Sequence, residues 1–332
     1  EEVTQGTPKV FHPISHADDP NRLDLAKWLV DTRNPLTARV IANRHWEQIF
    51  GSGIVATSEE FGSQGDLPTH PELLDWLAVE LMESGWDLKH LIKTLVMSAT
   101  YQQSSVVTEE MQRQDPDNQF YTRGPRFRAS AEVVRDQVLS VAGLLSDKMY
   151  GPPVKPPQPK LGLTAAFGSG TDWNTSAGDD RYRRGIYTTW RRSSPYPSMA
   201  QFDAPNREVC TIRRIRTNTP LQALVTLNDP VYVEAAQAFA RKVLLQEGDM
   251  RQRITFAFKT ALTRVPTEQE YSRIEKLIEK VSMTYSENRE EAMQIATEPL
   301  GDLPGTIDVI DAATWTVVAN VILNLDEILM KK

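Results

Sequence analysis

An all-α body of packed helix pairs, crossed by one long irregular segment, is predicted by three observations. Apolar residues recur at helical spacing through most of the 332-residue chain. The helical runs open on Asp, Asn, Ser or Thr, several with Pro at the first position, and many close on Gly. Hydrophobic residues make up 40% of the chain, with seven Trp and no long single-sign charge run, which describes a compact folded body rather than a disordered one.

The elements follow in order. Leu23, Leu25, Trp28 and Leu29 after the Asp19-Pro20-Asn21 turn predict a short amphipathic helix ending near Asp31. Asn34 caps a second helix with Pro35 at its start, whose stripe of Leu36, Val40, Ile41, Trp46, Ile49 and Phe50 stops at Gly51 and Gly53. Residues 54–67 carry no period and read as a loop. Thr69 and Glu72 have capping-box spacing, opening a helix through Leu73, Leu77 and Leu81 that ends at Gly85. Asp87 caps the next, through Leu88, Leu91, Ile92 and Leu95, so the two form a helical hairpin. A polar stretch follows, and Ser130 then caps a helix through Val134, Val138 and Leu144.

Prolines at 152, 153, 156, 157 and 159 force an extended run. Glycines and small polar residues continue to Gly178, and Ile186 to Trp190 reads as a short strand. Thr219-Pro220 opens a helix through Leu221, Leu224 and Leu227, and Asp229-Pro230 opens another through Val231, Phe239 and Val243. Ile254 to Leu262 is helical, Thr267 and Glu270 form a second capping box, and a last helix runs from near Asp308 to Met330. The parts are an extended segment at 1–20, a helical part at 21–150, an irregular Pro- and Arg-rich segment at 151–218 and a helical part at 219–332, together one domain.

Charge is distributed unevenly. Between Arg181 and Arg216 stand nine arginines and no lysine against two acids, Asp203 and Glu208, in a chain whose net charge is -7. The acidic total argues against general nucleic-acid binding. No apolar window reaches the ~20 residues of a membrane span. The single cysteine, Cys210, excludes a disulfide framework and a haem-attachment CxxCH within the chain. The opening EEVTQGTPKV has no signal-peptide pattern and reads as the interior of a longer polypeptide.

The segments NPLTARVIANRHWEQIFGSGIVATSEEFG and THPELLDWLAVELMESGWDLKHLIKTLVMSATYQQSS, with RRGIYTTWRRSSPYPSMAQFDAPNREVC, TNTPLQALVTLNDP and the terminal VILNLDEIL, resemble a planctomycete-specific domain family found C-terminal to cytochrome c-like domains in large secreted proteins. The resemblance runs from about Arg22 to Leu329. It implies an extracytoplasmic location, periplasmic or at the cell surface, upstream cytochrome c-like domains as partners, and haem held only in those domains. It implies no catalytic role.

Two readings of the arginine segment stand. In one, Arg181, Arg183, Arg184, Arg191, Arg192, Arg213, Arg214 and Arg216 pin an irregular loop to acidic helix positions such as Glu59, Glu60, Asp75 and Glu80. In the other, Arg181, Arg184, Arg191, Arg192, Arg213 and Arg214, with Trp173, Trp190 and Tyr196, cradle an external anion such as an acidic or sulfated glycan, a phosphate or haem propionates. The leading functional reading makes the chain a non-catalytic scaffold or ligand-binding module, with the arginine and aromatic loop pairing to an anion or a neighbouring domain. A polysaccharide hydrolase or lyase is the rival, with Asp180 or Asp203 as acid and base, and His70 as a further candidate base. The five histidines include no HExxH, and the His12/His16 pair with Asp18 and Asp19 would need a helical terminus to hold a metal, so no metal site is expected.

Overall fold

A computed structural model describes residues 6–14, 19–159, 174–192 and 194–331. Among these the chain is mostly α, with fourteen α-helices and one two-stranded sheet of β1 (Phe127–Arg128) and β2 (Met330–Lys331). It divides into two compact units, one ending at Phe127 and one from Arg128 to Lys331. The Pro-rich stretch at 151–159 lies inside the second unit.

The first unit contains α1 (Arg22–Leu29), α2 (Thr37–Phe50), α3 (Pro71–Glu83), α4 (Leu88–Val96) and α5 (Glu109–Gln114). Asn21 and Asp24 form a capping box on α1, yet this helix buries none of its side chains. The Asn34 carboxamide accepts the N–H groups of Leu36 and Thr37 and so caps the approach to α2. Gly51 ends α2 at φ +86°, where only glycine is unstrained, and a Cβ there would stand 2.7 Å from the Phe127 ring. The Thr69–Glu72 capping box does not form. α3 begins at Pro71 with His70 as its cap, so Glu72 falls one position short of the box register, and the Thr69 hydroxyl donates to Ile54 O instead. Asp87 caps α4 as its sequence predicts. The polar stretch contains α5, which Thr108 caps and which buries nothing.

Trp46 stacks on Phe50 with ring centroids 4.0 Å apart and meets Tyr121 edge-on at 5.0 Å. Leu74, Leu77, Leu81, Leu91 and Leu95 complete this core. The aperiodic loop after α2 is held by a buried amide: Asn43 Nδ2 donates to Val55 O and Ser58 Oγ, and Asn43 Oδ1 accepts from Val55 N–H. That amide's polar capacity is thereby directed at loop backbone and hydroxyl groups that burial would otherwise strand.

The second unit contains α6 (Ala131–Ala142), α7 (Pro197–Gln201), α8 (Pro220–Asn228), α9 (Pro230–Leu244), α10 (Met250–Leu262), α11 (Glu268–Glu287), α12 (Arg289–Thr297), α13 (Val309–Leu323) and α14 (Asp326–Leu329). α13 is buried on most of its surface and packs on α8, α9, α10, α11 and α12, which makes it the central helix. Its Trp315, Val318 and Ile322 share a core with Phe239, Ile254 and Phe258. The helix expected from Asp308 to Met330 is broken because Leu325 takes extended angles, turning the chain into α14 and then β2. The strand expected at Ile186 to Trp190 is not formed. Gly185–Tyr187 is a 3-10 turn, and Thr188 makes a single parallel bridge to Val154, since prolines on both sides of that bridge deny the neighbouring strand its donors.

Thr267 and Glu270 close the predicted capping box on α11, with Thr267 N–H donating to Glu270 Oε2 at 2.7 Å. Arg264 bridges Glu270 and Glu327 at 2.7 Å each, and its hydrogen bond holds the Glu270 carboxyl down at about 2 against the opposing effect of partial burial. Thr267→Ala is expected to cost about 1 kcal/mol in urea unfolding, because it removes the acceptor for the Glu270 N–H.

Candidate functional site

α6 carries Glu132, Arg135 and Asp136 at positions i, i+3 and i+4, on one face of the helix. α9 contributes Glu234 and its cap residue, Asp229. The arginine segment folds onto these groups through two 3-10 turns, Gly178–Tyr182 and Gly185–Tyr187.

Each arginine in the first part of the segment has a distinct seat. Arg181 Nε reaches both oxygens of Glu234 at 2.9 and 3.0 Å, and Tyr182 Oη donates to Oε1 of the same carboxylate at 2.9 Å. Arg183 is 1% exposed, donates to Pro152 O and Tyr150 O, and lies 3.7 Å over the Tyr187 ring. Arg184 Nε and the Gly185 N–H bind the two oxygens of Asp136 at 2.9 and 2.6 Å. Gly185 is required there, since a Cβ would fall 2.9 Å from Glu132 Cα. Arg135, itself 2% exposed, returns the contact by donating from Nη2 to Arg181 O at 3.0 Å and Arg183 O at 3.4 Å. Arg214 Nη1 closes on Glu132 at 2.7 Å.

This arrangement corrects three of the four expected partners. The sequence points to Glu59, Glu60, Asp75 and Glu80, but Asp75 pairs with Arg39, Glu80 with His90, and Glu60 accepts from Gly62 N–H. The seats are Glu132, Asp136 and Glu234. For Glu132 and Asp136 the signal in the sequence is the Glu-x-x-Arg-Asp spacing on a helix whose opposite face is Val134 and Val138.

Burial sets the protonation of the groups beneath the segment. The buried Asp229 carboxyl is pushed up to about 6, with the Val231 N–H and the Arg135 charge offsetting only part of the desolvation. Tyr182 is raised to about 12 by burial and then by the Glu234 charge. Tyr196 and Tyr232 are fully buried and held protonated by desolvation, with the Asp229 charge adding to it. Burial is the largest single effect on Glu132 and raises its carboxyl, but the hydrogen bonds from Arg214, its own backbone N–H and Ser130, with the Arg214 charge, together hold it below the ordinary carboxylate value.

The remaining candidates take separate places. Tyr196 is 1% exposed and donates to Pro157 O at 2.6 Å, so its ring is core. Trp190 is partly buried, donates from Nε1 to Asn206 O at 3.3 Å, and has the Arg207 guanidinium 5.2 Å from its ring. Arg192 and Arg213 are exposed and Arg191 half-buried. Trp173 lies outside the described residues, as do His16 and Asp18. Asp180 pairs with Lys148 at 2.7 Å, a bond that lowers its pKa. Asp203 accepts from Thr217 N–H at 2.7 Å and from the Thr217 hydroxyl. His70 Nδ1 pairs with Thr69 Oγ1 at 2.9 Å, and its ring centroid lies 5.5 Å from that of Tyr121. Asp180, Asp203 and His70 are thus engaged in three separate local contacts. Among the described residues no group of three His, Cys, Asp or Glu is placed to hold a metal, and no helix is long and apolar enough to cross a membrane.

Sequence reasoning missed a second polar centre. Arg128 is 8% exposed and directs Nε and Nη2 to Gln222 Oε1 at 3.2 and 3.1 Å, while Nη1 meets Asp326 Oδ1 at 3.1 Å. Gln222 Nε2 in turn donates to Gln201 O and Thr217 O. The most buried positions of α8 are therefore polar, with Gln222 at 0% and Thr226 at 4% exposure beside the half-buried Val225, while Leu221, Leu224 and Leu227 stand 56, 54 and 39% exposed. This inverts the usual sidedness of a helix packed on a core.

No curated protein and no solved structure matches the chain. Residues 21–278 match the PSD1 family of proteins of unknown function (DUF1553), a span covering most of the chain, and the chain belongs to that family.

Proposed function

We propose that the chain is a non-catalytic docking module of a secreted, cytochrome-associated polypeptide of the planctomycete type, and that haem belongs to neighbouring domains. The observation that carries this reading is the inverted helix α8. The loop that precedes α8 in sequence exposes Val209, Ile212 and Ile215 and carries the exposed Arg207. An apolar face mixed with guanidinium groups suits a partner surface that is apolar and acidic. Arg181, Arg183 and Arg184 are committed to internal acceptors and hold the segment in place, so the docking part is its later stretch, with Arg191, Arg192 and Arg207. A glycan hydrolase or lyase gains nothing from the geometry, because Asp180 and Asp203 serve Lys148 and Thr217 in separate contacts.

The test is calorimetric titration of the chain with the purified region encoded immediately upstream in its gene. Saturable binding is expected, with a Leu224→Asp variant losing it at least tenfold and keeping the parent melting temperature, because Leu224 is already in water. The double variant Arg191→Glu, Arg192→Glu is expected to weaken binding in a salt-dependent way without destabilising the fold. Absence of binding by the unaltered chain would end the docking reading.

A further inference from the structure

A cavity of about 350 Å³ opens at the start of α8, lined by Arg128, Asn218, Thr219, Ala223, Asn324 and Asp326. Its polar groups are mostly donors. A guanidinium carries five N–H bonds. Arg128 directs two of them at one neutral oxygen of Gln222 and a third at Asp326, whose side chain is 63% exposed, so two protons on the terminal nitrogens remain for a ligand. Asn324 Oδ1 accepts the Thr226 hydroxyl, which fixes that amide so that Nδ2 is left as a donor. Thr219 caps α8 without a side-chain bond, leaving the hydroxyl and the first-turn amide of Leu221 unspent. Against these donors stands one carboxylate, Asp326.

We propose that this cavity binds a sugar acid, a uronate unit whose carboxylate is taken by Arg128 and whose hydroxyl groups are read by Asp326, Asn324 and Asn218. Three features select that class. A nearly buried arginine with unspent protons favours a carboxylate, which can accept two of them at once. The volume admits a single ring of monosaccharide size rather than an extended chain. The one carboxylate of the lining, Asp326, is on the exposed side, where it can take a hydroxyl proton. Binding here is independent of the α8 leucine face, which points outward, so the docking reading and this one fail separately.

The experiment titrates glucuronate and galacturonate into the whole chain, with glucose and inorganic phosphate as comparison arms. A uronate is expected to bind at least tenfold more tightly than glucose, and phosphate to give no saturable signal. Ala223→Leu, which fills the cavity from a half-buried position on α8, is expected to abolish uronate binding with the fold intact by circular dichroism. Arg128→Lys is expected to weaken it at least tenfold, since an ammonium cannot offer the paired geometry. Equal binding of glucose and uronate, binding of phosphate alone, no binding by any probe at millimolar concentration, or full binding by Ala223→Leu would each overturn the proposal.

Discussion

Glu234→Ala is expected to destabilise the second unit by about 3 kcal/mol or more, the scale of breaking a buried charge pair by removing one partner. Glu234 is 3% exposed and accepts from Arg181 and from the Tyr182 hydroxyl. The substitution leaves a phenol and a guanidinium without an acceptor, and the carbonyls of Arg181 and Arg183 that bind Arg135 belong to the same turn. Arg181 is 23% exposed at its side chain, so part of its charge can rehydrate, which holds the loss toward the lower end of the range. Urea unfolding followed by tryptophan fluorescence measures it. Arg181→Met with Glu234→Leu should recover most of the loss, because an apolar pair leaves no charge unmatched; the Tyr182 hydroxyl is the residual cost. A loss below about 1 kcal/mol for Glu234→Ala would mean that Arg183 and Arg184 hold the segment without this anchor.

Helix starts were legible because their causes are local. Asp87, Asp229 and Thr267 each bind an N–H within three residues, so a short window of sequence contains the whole interaction. The seats of the arginines were legible as a kind of contact but not as addresses. Arg181 meets Glu234 across 53 positions and Arg184 meets Asp136 across 48; the Glu-x-x-Arg-Asp spacing marks a charged face on α6 but names no partner for it, and nothing local distinguishes Glu234 from Asp75 or Glu80. Sidedness failed where polar residues do the packing. Leu221, Leu224 and Leu227 read as a core stripe, but Gln222 is needed inside by Arg128, and Thr226 by Asn324, so the helix turns its leucines outward. Tyr196 read as part of an anion cradle because it lies among arginines in sequence; in the fold its ring joins the core cluster with Phe239 and Tyr232.

The same burial gives the second unit a pH dependence that a single substitution isolates. Asp229 has a folded carboxyl near 6 against an ordinary value of 3.8, raised by desolvation beneath Tyr196 and Tyr232. The native state therefore binds more protons than the unfolded state between these values, and the stability linked to this group is fully present below about pH 4 and lost as pH rises through 6. Each tenfold difference in proton affinity between the folded and unfolded states is worth about 1.4 kcal/mol, so the change amounts to about 3 kcal/mol. Glu270 and Glu132, whose carboxyls are lowered, act in the opposite sense as pH falls, so the wild-type curve alone mixes both signs. Asp229→Asn separates them. Asparagine caps a helix as well as aspartate does, so the bond from Val231 N–H at 3.0 Å can persist while the titratable group is gone. The difference in unfolding free energy between variant and parent should be near zero at pH 4 and favour the variant by about 3 kcal/mol at pH 7. A difference that stays constant from pH 4 to 7 would mean that the Arg135 charge compensates the ionised carboxylate in full, and that burial costs Asp229 nothing.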